Sequence, residues 1–195
     1  MSNSPKTVLI ISGQETSDFA KGGYNRGLAA AAKAVLEPHM TVLTTDVESG
    51  YDVAEEIEKF KAADVVIYQY PVYWFMMPPS LKKYMDEVYA YGEFFAFSDG
   101  PYGSGGLMKG KQLMLSTTWN APDEAFNDPD GLFEGDSVAD ALAPMRRSHF
   151  YCGFGEMPHF SAHNIIAEPQ FDAHKAAFEN HLRSAFGLAA DSKAA

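Results

Sequence analysis

The sequence predicts an α/β protein: a doubly wound parallel sheet covered by helices on both faces. Three observations predict it. The runs at 7–12 (TVLIIS), 64–70 (DVVIYQY) and 112–118 (QLMLSTT) have strand length and lack apolar–polar alternation, so they read as strands buried on both faces. Segments of helical spacing fall between them, which implies right-handed strand–helix–strand crossovers. The 195 residues are 46% apolar, enough to bury such a sheet as one domain over 1–195, with 1–6 and 188–195 expected to fray.

The first strand, 7–12, is followed by the polar, glycine-containing stretch GQETSDFAKGGYN. A helix over 24–36 carries Leu28, Ala31, Ala32 and Val35 on one face, and Pro38 stops it. Residues 41–45 form a second short strand. Asp52 caps a helix bearing Val53, Ile57 and Phe60, with Glu56 and Lys59 three apart beside them. The third strand, 64–70, ends at Pro71 and the aromatic loop PVYWFMMPP. Pro79 and Ser80 open a helix that Gly92 closes. The fourth strand, 112–118, leads into a long loop and a helix around 137–145. A fifth strand is expected near 157–163, and a final amphipathic helix from about 170 to 186. Five strands led by an α/β unit fit the 2-1-3-4-5 order of flavodoxin-like folds, where ligands bind at the carboxyl ends beside strand one.

Composition narrows the function classes. A net charge of −11 disfavours sequence-independent nucleic-acid binding, so an anionic cofactor would need local backbone dipoles. Cys152 is the only cysteine, which excludes an intrachain disulfide and a multi-cysteine metal site. The absence of an apolar run approaching the ~18 residues of a membrane span predicts a cytoplasmic protein without an integral membrane segment. No metal is expected: His159 and His163 fall in a strand and loop, without the glutamate spacing of a helical zinc motif. Cys152 reads as a buried small hydrophobe, and Arg146–Arg147 as a solvated helix end.

Three loops should meet at the carboxyl ends of the strands. Ala20, Lys21, Gly22, Gly23, Tyr24 and Asn25 precede the first helix, whose free N–H groups can hold phosphate. Taken alone, a glycine pair before a helix is more often an ordinary turn. Pro71, Val72, Tyr73, Trp74 and Phe75 offer an apolar surface for a planar ring, or alternatively a hydrophobic plug or dimer contact. Thr117, Thr118, Trp119, Asn120 and Ala121 can donate to the polar edge of a flavin, or form a capped turn over a buried Trp.

At these residues the chain resembles the NAD(P)H:quinone oxidoreductases of the flavodoxin-like superfamily, most closely the bacterial modulator of drug activity B quinone reductases. The resemblance runs from about Val8 to Gly187. Its most specific pieces are YGSGGL followed by LSTTWNAP, then HFYCGFGEMP. It implies bound FAD, two-electron reduction of quinones by NADPH or NADH in a ping-pong cycle, and a homodimer with the active site at its interface. FMN is the alternative flavin.

Carried onto this sequence, the resemblance assigns the FAD diphosphate to Ala20 through Arg26 and Gly27. Pro71, Val72, Tyr73, Trp74 and Tyr102 would contact the flavin ring. Thr118, Trp119, Asn120 and Ala121 would hold its polar edge. Phe95, Phe97 and Tyr151 match aromatics that the related DT-diaphorase branch places in the quinone pocket from the partner subunit, and Phe126 is a further candidate for lining that pocket. No side chain is assigned as a catalyst, though Tyr102 or water could protonate the quinol.

The chain also departs from its relatives. Phe19–Ala20 replaces the usual His-Ser, the stretch between Gly92 and Tyr102 is short and lacks basic residues, and Phe126 and Glu134 lie near the charge-relay Tyr and His positions. Other readings of the scaffold are an FMN azo- or nitro-reductase and a regulatory flavoprotein subunit that docks on a membrane transporter. An electron-carrier flavodoxin is disfavoured by the TWNAP loop and by the lack of a Thr/Ser-rich phosphate loop.

Overall fold

The structure, a computed structural model, describes residues 7–18 and 20–189. The expected fraying of 1–6 and most of the 188–195 tail therefore lies outside the described residues.

The strands are β1 (Thr7–Ser12), β2 (Thr41–Asp46), β3 (Val65–Pro71), β4 (Gln112–Thr118), β5 (Gly155–Glu156) and β6 (Phe160–Ala162). The helices are α1 (Gly23–Leu36), α2 (Val53–Ala62), α3 (Pro79–Val88), α4 (Val138–Ala141), α5 (Ala143–Tyr151) and α6 (Phe171–Phe186). All pairings are parallel, in the order β2-β1-β3-β4-β5, with β6 also on β4. This is the flavodoxin-like order. No helix among the described residues is long and apolar enough to cross a membrane.

The uninterrupted apolar runs have the cause expected of them. Alternate residues of each central strand enter two different cores. Val8, Ile10, Val65, Ile67 and Met114 pack with Leu28, Ala32 and Val35 of α1 and Phe178 and Leu182 of α6. Leu9, Ile11, Val66, Tyr68, Leu113 and Leu115 face the other way, against Phe60, Leu81, Tyr84, Val88 and Met145.

Three boundaries differ from expectation, each for a local reason. The fifth strand is two short strands, making six rather than five among the described residues. Pro158 has no N–H to donate, so the ladder breaks there. His159 patches the gap: its Nδ1 accepts from the Leu115 N–H at 3.1 Å, and its Nε2 donates to Glu156 at 2.6 Å. The helix expected around 137–145 is likewise two helices, because Pro144 can sit only in the first turn of the second. Finally, α3 ends at Val88 rather than at Gly92. Tyr89 leaves helical geometry there and stacks on Phe94 at 4.3 Å.

Buried polar groups pair among themselves, as desolvation requires. Glu56, expected beside an apolar face, is fully buried and accepts from Thr45, Tyr84 and Lys59 at 2.6–2.7 Å. His149 is enclosed between Met145 and Tyr89. A carbonyl can only accept, so Nδ1–H donates to the Met145 oxygen at 2.8 Å, and Nε2 accepts from the Tyr89 hydroxyl at 2.7 Å. Tyr68 bonds the same hydroxyl at 2.6 Å.

Burial pushes His149 down to about 4 and also lowers His159. Both are neutral in the native state and free to protonate in the unfolded chain below about pH 6.5. Their contribution is therefore complete above about pH 6.5 and is lost as pH falls toward 4. His149 alone should remove about 2 kcal/mol between pH 6.5 and 5. Urea midpoints across that range should fall in the wild type and flatten in His149→Gln; a flat wild-type profile would refute the assignment.

Candidate flavin site

The carboxyl ends of β3 and β4 are tied to the start of α1 by a buried hydrogen-bond network. Gln69 of β3 donates to the Asn25 side-chain oxygen at 2.7 Å and accepts from Ser116 of β4 at 2.6 Å. The Asn25 amide donates to Thr118 Oγ1 at 3.0 Å. All four side chains are buried. The network pins the first turn of α1 beside the loops that follow β3 and β4.

That turn has no side-chain cap. Gly22 takes the N-cap position with φ 68°, in the left-handed region that favours glycine. A Cβ there would lie 2.8 Å from Arg26 and 2.9 Å from Gln14, whereas one on Gly23 would meet nothing. An uncapped helix start facing open space leaves backbone N–H groups free to meet an anion.

Around it lies a cleft of about 290 Å³. Of the predicted residues, Ala20, Lys21, Gly22, Gly23, Tyr24, Asn25, Pro71, Val72, Tyr73, Thr118 and Asn120 all line this cleft. Ile165 and Ile166, from the loop after β6, close its side and were not anticipated. The available signal was an apolar pair within the polar stretch HNIIAEPQ. The donor set suits an anionic group at α1, a flat apolar body against Pro71–Tyr73, and a polar edge near Thr118 and Asn120.

Other predicted residues stand elsewhere. Arg26 turns to Glu48 at 3.2 Å and to the Lys21 carbonyl. Gly27 abuts the Phe171 ring, which a Cβ would approach to 2.5 Å. Trp74 is 90% exposed beside the cleft, with φ 49°. Trp119 is a correction: only 2% exposed, it turns into the core, where its Nε1 donates to Thr117 at 2.8 Å. Ala121 offers its carbonyl to His163 at 3.2 Å. Phe126 is also core rather than pocket, stacked on Phe133 at 4.2 Å. Phe19 lies outside the described residues.

Tyr102, Phe95 and Tyr151 gather in a separate open cleft of about 390 Å³, with Tyr102 97% exposed. Phe97 is 82% exposed outside it. Cys152 lines this cleft too, and burial pushes its thiol up to about 11, so it is a poor nucleophile. Arg146 is no solvated helix end: it pairs with Glu156 through two nitrogens and with the Ala139 carbonyl at 3.0 Å. A larger cleft, about 880 Å³, is lined by this pair and by Ser161 of β6. Its Arg146, Glu156 and His159 satisfy one another, leaving little to recognise a ligand.

The first loop is braced from outside. Glu48 accepts from the Thr16 N–H at 2.7 Å and hydroxyl at 2.9 Å, besides pairing with Arg26. The Thr16 N–H bond, then its hydroxyl, and more weakly Arg26 hold the Glu48 carboxyl below its usual range. Glu15 caps α3 through the Ser80 N–H at 2.7 Å. Tyr73, on the opposite wall, has its phenol pushed up by burial and by the negative charges of Glu15 and Glu48.

Comparison with known proteins agrees with this geometry. A flavodoxin-like fold family matches residues 6–183. The NADPH:quinone oxidoreductase MdaB of Haemophilus influenzae is 36% identical over 190 residues, covering 92% of this chain and 99% of that protein. A Klebsiella pneumoniae protein assigned as a quinone reductase superposes with a TM-score of 0.76 at 24% identity, over 92% of this chain and 84% of its own. General stress protein 14 of Treponema denticola, solved with FMN, gives 0.71 at 25% identity, over 92% and 99%. The chain belongs to the flavodoxin-like fold family and, within it, to the modulator of drug activity B family of NAD(P)H:quinone oxidoreductases.

Proposed function

We propose that this protein is a cytoplasmic, FAD-dependent NAD(P)H:quinone oxidoreductase acting as a homodimer. The observation that carries the reading is one cleft in which an uncapped helix start, a flat apolar wall and a polar edge converge. The similarity to the Haemophilus quinone oxidoreductase supports the acceptor and the nucleotide.

Bound FAD would supply two-electron hydride transfer from NAD(P)H to quinone in ping-pong order. The protein's own part is binding and orientation. The α1 N–H groups and Lys21 hold the diphosphate, and no global field assists them at a net charge of −11. Pro71, Val72 and Tyr73 give the ring its wall, and Thr118 and Asn120 stabilise negative charge at its polar edge. Trp74, Phe75, Tyr91, Phe97 and Tyr102 are large exposed side chains that a second copy would cover. Phe95, Phe97 and Tyr151 then serve the partner's site, with Tyr102 or water as proton source.

The purified protein should be yellow, and heat should release a cofactor with the mass of FAD. A colourless protein that no flavin reconstitutes would sink the reading, while FMN would replace the cofactor and favour the azo- or nitro-reductase reading. NADPH oxidation should require added quinone and yield quinol; a stoichiometric one-electron radical would reject the mechanism.

Asn25→Ala leaves Gln69 and Thr118 short of partners, so it should cost about 1–3 kcal/mol in urea denaturation and loosen flavin retention. Unchanged flavin affinity in that variant would mean the α1 turn is not the phosphate site.

A further inference from the structure

The cleft between α5 and the 89–106 segment combines three features. Its walls are aromatic: Phe95 and Tyr102 flank Tyr151 with ring centroids 5.5 and 5.6 Å away, tilted 58° and 48°. Its floor is neutral, since the Tyr89 hydroxyl is occupied by Tyr68 and His149, and Cys152 keeps its proton. Its rim carries Arg147, exposed and without a hydrogen-bond or ion-pair partner among the described residues, whereas adjacent Arg146 is bound to Glu156. None of the lining residues is acidic, in a chain of net charge −11. Arg147 lies at the middle of α5 rather than in its last turn, so the helix C-terminus does not account for a cation here.

We propose that Arg147 makes this cleft selective for planar aromatic acceptors that carry an acidic group, such as sulfonated, carboxylated or ionised hydroxy-quinones. The guanidinium is planar and always charged, and it binds carboxylate or sulfonate through two parallel hydrogen bonds. Meanwhile the rings take the flat body of the acceptor. Local charge is needed because the protein's overall field repels such anions. The inference rests on the quinone-reductase reading for turnover, though not for binding.

The test uses the flavin-loaded protein, Arg147→Gln and Arg147→Lys. It compares kcat/KM for 1,4-naphthoquinone-2-sulfonate with that for uncharged 2-methyl-1,4-naphthoquinone. The ratio should fall about tenfold in Arg147→Gln, mainly through the KM of the sulfonate, and recover partly in Arg147→Lys. Added salt should raise the ratio in Arg147→Gln, where only the repulsion by the net negative charge is left to screen, and should narrow the gap between it and the wild type. An unmoved ratio, or an equal loss with both acceptors, overturns the proposal. So does a shift confined to the KM of NADPH relative to NADH, which would give Arg147 to the nucleotide phosphate.

Equilibrium dialysis of the sulfonate without reductant separates the two readings. Arg147-dependent binding in a protein that reduces neither quinone would sink the activity and keep the site. Quinone turnover with sulfonate binding indifferent to Arg147 would do the reverse.

Discussion

Parallel strands buried on both faces leave no water for polar side chains at their carboxyl ends, and this constraint organises the molecule. Gln69, Ser116 and Thr118 sit on β3 and β4 where the sheet is fully covered, and only Asn25 completes their hydrogen bonds. That requirement draws the first turn of α1 over the strand ends. Because Asn25 lies in the first turn of α1, satisfying it brings Gly22 and Gly23 into one cleft with Pro71 and Thr118. The cleft is thus a consequence of burying a polar network, and the uncapped start of α1 is the part left without a side-chain partner.

The opposite face follows the same rule with different groups. Glu56, Thr45, Tyr84 and Lys59 tie α2 to β2 and α3. Tyr68, Tyr89 and His149 tie β3 to the end of α3 and to α5. A buried hydroxyl–imidazole chain keeps its direction only while the imidazole is neutral, so the helices facing the aromatic cleft are held by a group that acid would charge. The floor of that cleft is therefore hydrogen-bonded throughout, while Tyr102 on its wall remains exposed.

Charge is handled locally throughout. Arg26 is neutralised by Glu48, which also grips Thr16, so the first loop is braced before any ligand arrives. Arg146 closes onto Glu156 at the sheet edge, where His159 replaces a missing ladder bond. Lys21 is turned to the Ser17 carbonyl at 3.0 Å, beside the uncapped helix. In a strongly acidic chain these few arrangements decide where an anion can approach.

The sequence by itself determined the sheet. The runs TVLIIS, DVVIYQY and QLMLSTT are legible because a strand buried on both faces needs apolar residues at successive positions, and the order followed from the alternation with helices. It also named most of the cleft, since loops at the strand ends of this topology must converge. Only the tertiary structure decided where individual side chains point. Trp119 and Asn120 are adjacent in a loop, yet Trp119 enters the core to reach Thr117 while Asn120 lines the cleft. Glu56 looks like a surface residue until β2 and α3 supply its donors, and Ile165 joins the site only because β6 pairs with β4. Such outcomes depend on long-range partners, and local pattern carries no record of who those partners are.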